Sequence, residues 1–279
     1  MFRSAIRKSA YVLACLSLAI MPVAPALAGS LSVEPLFIEL VPGSSGAVRV
    51  RNTSDAPMTV ELLVAERTID KDGKQTRTDA EDAFILFPPQ GVIAPQQVQV
   101  FRIQPLSPDA EKSRSYFLTV KQLPVKLNPI EGGGTRLQVV FAFDVAVHAV
   151  PRGAKNNMQF VSAALDTTQV EKVPPADAPP PTSDGKRAKP EFETVPAVAV
   201  SVRNDGNKYL YLHDYDYRAT GVDEAGNTVD IPSWDANAIV DAAKVSLVQP
   251  GAERTFKLPL RGLPSLKNIE MRVRPRAGS

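Results

Sequence analysis

Any chemistry in this chain has to start from few groups: two histidines, His148 and His213, and a single cysteine, Cys15. Acyl transfer by serine needs a base held beside the nucleophile, and neither histidine lies in a glycine-elbow or other nucleophile motif. His148 stands between Val147 and Ala149 in a strand-like run and reads as a satisfied or solvated strand histidine. His213 reads the same way, ahead of Asp214-Tyr215-Asp216-Tyr217. Asp214 and Asp216 share one face of a strand and lack the looped oxygens that calcium takes. Two histidines in one chain are too few for a multi-histidine metal site. The run Gly132-Gly133-Gly134 has the composition of a phosphate cradle, but it leads into a strand and no lysine follows at P-loop spacing. The remaining acids are scattered through polar turns. No catalytic, cofactor-binding or metal-ligating residue is expected, and an exported enzyme on a β-sandwich is disfavoured on the same ground.

The cysteine belongs to a segment that is expected to be removed. Met1–Lys8 is short and basic, Ala10–Ala24 is almost wholly apolar, and Ala26-Leu27-Ala28 is a small-residue cleavage signal before Gly29. That three-part pattern is a secretory signal peptide, residues 1–28. The apolar run is short and broken by Pro22 and Pro25, and no later stretch reaches the ~18 apolar residues of a membrane span. A lipidated Cys15 is disfavoured because the hydrophobic run continues well past it. Removing the leader leaves about 250 residues, two domains of ordinary size. The chain is 44% apolar, enough for real cores. Its formal charge of +2 includes Arg3, Arg7 and Lys8 of the leader, so the mature product is near −1 and has no basic excess for nucleic acid. Without a cysteine it has no disulfide, thiol nucleophile or thiolate metal site. The expected location is the periplasm.

The elements read as strands. Val48–Asn52 alternates, with a turn at Thr53–Pro57; Val60, Leu62 and Val64 alternate next, and Asp72-Gly73 marks a hairpin-like loop. Gln97–Gln104 alternates after Pro88 and Pro89, and Tyr116–Leu123 forms another strand that Pro124 ends. No segment carries a helical apolar stripe over three turns. Short strands separated by turn signals at this spacing indicate an all-β fold of the sandwich kind.

The second half repeats the first in outline. Val200–Asn204 mirrors Val48–Asn52, and Gln249-Pro250 before Thr255–Leu258 mirrors Ala94-Pro95 before Val100–Ile103, each pair roughly 150 residues apart. Two sandwiches of related design are therefore expected, at 29–151 and 152–279. Residues 171–191 hold Pro174, Pro175, Pro179, Pro180, Pro181 and Pro190 among small and charged residues. Such a stretch buries too little apolar area to offset its chain entropy, so it reads as an extended insertion in the second domain.

One strand is unusual. In Thr135–Val150, Leu137, Val139, Phe141, Phe143, Val145 and Val147 share one face, while the other face is only partly polar. A strand with one wet face should be more polar there, and this run exceeds the ~5–6 residues usual for strands. It reads either as a plain core strand or as an edge strand whose side chains serve another protein.

The ordered pattern Phe87-Pro88-Pro89, Ile93-Ala94-Pro95, Val100-Phe101-Arg102-Ile103, then Ser115–Leu118 and Leu123-Pro124, then the long strand ended by Pro151, resembles the periplasmic chaperones of the chaperone–usher pilus pathway. The resemblance covers the first domain closely and the second through its architecture. It implies two immunoglobulin-like β-sandwich domains in tandem, arranged as a boomerang, that bind pilus or fimbrial subunits and deliver them to an outer-membrane usher. A subunit lacking its last strand would receive one from the chaperone, with Leu137, Val139, Phe141 and Phe143 as the donor positions. No cofactor is implied.

The chain departs from the best-known branch. An arginine of the first strand and a lysine late in the long strand anchor the subunit's terminal carboxylate there. The matching positions here hold Leu36 and Ala146, which fits the divergent branches called archaic or alternative. With Phe101 and Ile103 directed into the core, Arg102 points outward and is the anchor candidate; Lys121 and Arg114 are weaker ones. Free molecules would also have edges for self-association. The alternative is an exported structural or adhesive β-sandwich of a surface assembly, although Leu31–Leu40 reads as an ordinary first strand, not as a donor segment.

Overall fold

Alternating strands hold an apolar face that must be covered, and here two pairs of faces cover each other. The computed structural model describes residues 31–106, 110–124, 139–172 and 190–276. The signal segment, the triple glycine, Leu137 and residues 173–189 of the proline-rich stretch lie outside the described residues.

Among the described residues the first sandwich has ten strands: β1 (Leu31–Glu34), β2 (Phe37–Leu40), β3 (Gly46–Asn52), β4 (Met58–Ile69), β5 (Gln75–Asp79), β6 (Phe84–Phe87), β7 (Gln90–Ile93), β8 (Val98–Pro105), β9 (Arg114–Gln122) and β10 (Ala142–Ala149). One sheet runs β1-β3-β8-β6; the other runs β2-β10-β9-β4-β5, with β7 also paired to β4. The chain crosses from one sheet to the other between β1 and β2, at Pro35-Leu36. Val48, Val50, Val60, Val64, Phe101, Ile103, Leu118, Val120, Val145 and Val147 fill the space between the sheets.

The second sandwich contains β11 (Met158–Glu171), β12 (Phe192–Asn204), β13 (Leu210–Tyr211), β14 (Tyr215–Asp223), β15 (Thr228–Ile231), the helix α1 (Ala236–Ala243), β16 (Leu247–Val248), β17 (Glu253–Pro259) and β18 (Leu266–Pro275). Its sheets are β11-β12-β17, β15-β14-β18 and the short pair β13-β16. The proline-rich stretch joins the far ends of β11 and β12, where Glu171 pairs with Phe192. The helix α1 has eight residues, below the three turns at which periodicity is legible, and Asp235 caps it by accepting from the Ala238 amide at 2.7 Å.

The internal repeat has a physical content. Asn52 and Asn204 are both fully buried. Asn52 donates from Nδ2 to the carbonyls of Ala56 (2.8 Å) and Ile93 (3.0 Å) and accepts from the Ser54 amide. Asn204 donates to the carbonyls of Lys208 (2.8 Å) and Val248 (3.3 Å) and accepts from the Gly206 amide. Each asparagine ties the end of one strand to the turn after it and to a strand far along the chain. The mirrored prolines start equivalent turns: Gln97 and Ala252 donate to the carbonyls of Ala94 and Gln249, with Gln96 at φ 59° and Gly251 at φ 79° inside them.

The expected strand 135–150 is shorter where it is described: β10 starts at Ala142. The last ladder contact is the Gln122 amide donating to the Phe141 carbonyl, after which Leu123 turns away to bond the Thr59 carbonyl. Residues 139–141 keep an apolar sequence but lose their partner strand, and a strand exists only as a pairing.

Candidate partner-binding edge

The C-terminal half of β10 is enclosed. Over its whole length β10 pairs antiparallel with β9, from Ala142 opposite Lys121 to Ala149 opposite Arg114. On its other side β2 pairs in parallel, but only from Ala146 opposite Phe37 to Ala149 opposite Leu40. The Ala146 amide donates to the Leu36 carbonyl and the Val150 amide to the Leu40 carbonyl. Even-numbered residues therefore direct their backbone groups toward β2. It follows that Ala142 and Asp144 direct theirs to an edge with no partner among the described residues. The opening arises because the chain before Phe37 belongs to the other sheet: it crosses over at Pro35-Leu36, so β2 offers β10 no ladder pair ahead of Phe37.

Side chains on the two faces differ sharply. Val145 and Val147 are fully buried in the first-domain core. Phe143 and Phe141 are half-buried and pack against the same core from its rim. Val139 and Val140 stand out, 55% and 50% exposed. Beside the opening, Leu36 and Phe37 are 56% and 45% exposed. The four donor positions thus divide: Leu137 is not described, Val139 is exposed, and Phe141 and Phe143 line the rim.

On the outer face of this sheet, Asp144 accepts from Arg77 Nη2 and from Thr119 Oγ1, both at 2.6 Å. Burial would raise the Asp144 pKa, but these two bonds and the nearby arginines outweigh it and hold the carboxyl below its usual value. Arg77 and Arg67 both lie over the Phe117 ring, 4.2 and 4.7 Å from its centroid. The Asp72-Gly73 turn sets the register that places Arg67 opposite Arg77, so this pair was within reach of the sequence once the hairpin was recognised.

Arg102 points outward on β8, between buried Phe101 and Ile103, with Ala47 and Phe87 as its cross-strand neighbours. It therefore lies on the outer face of the sheet β1-β3-β8-β6, across the core from β10, and the structure does not bring it to the open edge. Lys121 is paired with Glu61 at 2.8 Å, and Arg114 grips Glu66 with two bonds of 2.9 and 2.6 Å.

His148 is buried and satisfied. Its Nδ1 meets Ser115 Oγ at 2.9 Å, its Nε2 meets Tyr211 Oη at 3.2 Å, and its ring stacks on Tyr209 at 3.9 Å. Burial, reinforced by Arg67, pushes its pKa down to about 4, so the ring is neutral at ordinary pH. Tyr209 and Tyr211 belong to the second domain, and no local residue pattern announces their contact with His148. Glu39, on β2, accepts from Tyr209 Oη at 2.6 Å and from Lys208 Nζ at 3.0 Å. Burial would raise the Glu39 pKa, but these partners lower it overall. Gln249 completes the junction by bonding the Arg67 carbonyl and the Ile69 amide. His213 is held by Ser246 Oγ at 2.8 Å. Among the described residues no cluster of His, Cys, Asp or Glu could hold a metal ion, and no helix is long and apolar enough to cross a membrane.

Comparison with known proteins fits this geometry. Residues 41–155 match the family model of the pili and flagellar-assembly chaperone, PapD N-terminal domain. No curated protein matches the chain in sequence. Among solved structures, the class 5 fimbriae chaperone CfaA is similar at a TM-score of 0.50 and 10% identity, over 88% of this chain and 100% of that one. The Salmonella enterica SafB chaperone, solved in complex with SafA pilin, gives a TM-score of 0.48 at 16% identity, over 88% of this chain and 89% of that one. The CfaA match shows a common two-domain β-sandwich fold, and the family model covers β3 to β10, the strands that build the open edge. The match to the pili and flagellar-assembly chaperone model is thus confined to residues 41–155, the larger part of the first sandwich.

Proposed function

We propose that this protein is a periplasmic chaperone that holds pilus or fimbrial subunits by lending them the start of β10 as a strand, and then passes them to an outer-membrane usher. The observation that carries the reading is the edge at Ala142–Val145, which has no partner strand among the described residues, continued by the exposed Val139-Val140. Unpaired ladder groups next to exposed apolar side chains are what strand addition uses: the backbone supplies affinity and alternate side chains enter the partner's groove. Val139, Phe141 and Phe143 are the donor positions, with Leu137 ahead of them. At ~1.5–3 kcal/mol per large apolar side chain buried, three or four such groups suffice for a stable yet exchangeable complex before association costs are met.

At the end of the edge, where the terminal carboxylate of such a subunit would lie, Leu36 and Ala146 stand and neither can bind it. Arg102 serves as the anchor only for a partner that reaches around to the sheet β1-β3-β8-β6. For a chain end lying on the β10 side, Arg77, which touches Asp144, and Arg67 beside it are nearer.

The test is co-purification from the periplasm with the exported subunit produced in the same cell. The native protein should retain the subunit one to one in about 1 M salt, where charges are screened within about 3 Å. The substitution Val139→Asp should abolish retention while the protein stays folded. Phe141→Asp should do the same, but Phe141 also touches the core, so Val139→Asp decides. Undiminished retention by that variant would sink the reading.

A further inference from the structure

The short strand β2 fixes where the open edge ends, yet its backbone is held within its own domain by one short ladder. It has four residues, lies at the margin of its sheet, and is bound by a parallel ladder to β10 alone. Parallel pairing is slightly weaker per residue than antiparallel, and so short a margin strand is prone to fray. Its inner side is anchored by buried Ile38 and Leu40; its outer side presents exposed Phe37 and Glu39.

The second domain reaches across to that outer side. The Glu39 carboxylate takes the Tyr209 hydroxyl and the Lys208 ammonium. His148, directly opposite Glu39 in the ladder, carries the Tyr209 ring stacked on it. The Tyr209 amide donates to Ser113 Oγ at 2.8 Å, and the Ser113 amide donates to the Asn207 carbonyl at 2.8 Å. Residues 207–209 thus lie as a brace over β2, β10 and the approach to β9.

We propose that Tyr209 and Lys208 clamp β2 onto β10, so that the second domain fixes the end of the open edge between Val145 and Ala146. This rests on reading that edge as the partner-binding site. Tyr209 is a positioning residue: it touches no partner, but it decides how many ladder positions a partner strand finds. Release of β2 would extend the free edge through Ala146–Ala149 and uncover Val147.

Amide hydrogen exchange on the free, full-length protein tests the clamp without any partner. Tyr209→Phe removes the hydroxyl that Glu39 accepts and keeps the stacked ring. It should speed exchange in peptides covering residues 37–40 and 146–150 by roughly 10-fold or more, with β3, β8, β12 and β17 unchanged. Glu39→Ala should do the same with a larger effect, whereas Glu39→Gln, which still accepts from Tyr209, should recover part of the protection. Unchanged exchange in both Tyr209→Phe and Glu39→Ala, or an equal rise throughout the first domain, would overturn the clamp. If Val139→Asp loses its subunit while Tyr209→Phe exchanges normally, the binding edge stands and the clamp fails. If Tyr209→Phe frays β2 while Val139→Asp still retains its subunit, it is the binding edge that fails.

Discussion

Along β10, Ala142–Val145 and Ala146–Ala149 share one antiparallel partner, β9, but only the second half is also covered by β2 and braced by the second domain. Both halves have apolar residues at odd positions. In the covered half Val147 is sealed in the core; in the open half Phe143 is only half-buried, and Val139, upstream, is mostly exposed. One sequence pattern thus does two jobs: at Val145 and Val147 its odd-numbered side chains are sealed in the core, and toward Val139 they become progressively exposed. What separates them is the point at which a neighbouring strand leaves the sheet. This is also how a long apolar strand stays manageable: the free edge is four described residues long, and its aromatic groups rest on the protein's own rim.

Substitutions at the two ends should separate the halves most widely. Val147→Asp would bury an unpaired charge in the core and cost more than ~4 kcal/mol, enough to unfold the first domain in chemical denaturation. The same change at Val139 should alter stability by no more than ~0.5 kcal/mol, so its effect falls on the partner complex. Equal losses at both sites would erase the distinction.

Acid provides the next contrast, because His148 belongs to the covered half alone. Its pKa is about 4 folded against 6.5 free, so the unfolded chain takes up the proton first. The stability contributed by the neutral ring is complete above the free value and is lost as pH falls from 6.5 to about 4, by roughly 3 kcal/mol at the bottom of that window. The Glu39 carboxyl, held low, adds a loss in the same direction at lower pH. Denaturation of the native protein and His148→Gln at pH 7 and pH 4.5 isolates the histidine: the variant should lose less on acidification. Parallel losses would show that the ring does not titrate in the junction.

Ser115→Ala is a gentler probe. It leaves His148 Nδ1 without its partner in a fully buried site, costing ~1–3 kcal/mol and raising exchange in the covered half of β10 more than in the open half.

A large part of the fold was legible because the signals were local. Alternation at Val48–Asn52 and Val100–Ile103 requires only that one strand face be buried. The mirrored Asn52 and Asn204 are legible because each works within its own turn, bonding residues two and four positions away. The outward direction of Arg102 follows from the same alternation. The start of β10 was placed too early in the chain because composition reports apolar residues, whereas strand limits depend on where β9 turns off. The helix α1 was too short for its period to register. Alternation tells in from out but not one sheet from the other, so it shows that Arg102 faces outward without showing that it lies away from β10, and Arg67 and Arg77 come beside β10 only through a hairpin.

By itself the sequence determined an all-β chain folding as two related β-sandwiches, with one apolar run longer than a core strand needs. Those properties follow from residue type and period, which survive without knowledge of neighbours. Only the tertiary structure decided that β2 covers half of β10, that Tyr209 stacks on His148 across the domain junction, and that Arg102 and β10 face away from each other. These are relations between segments far apart in the chain, set by strand order and by how two cores meet, and no local pattern of residues encodes them.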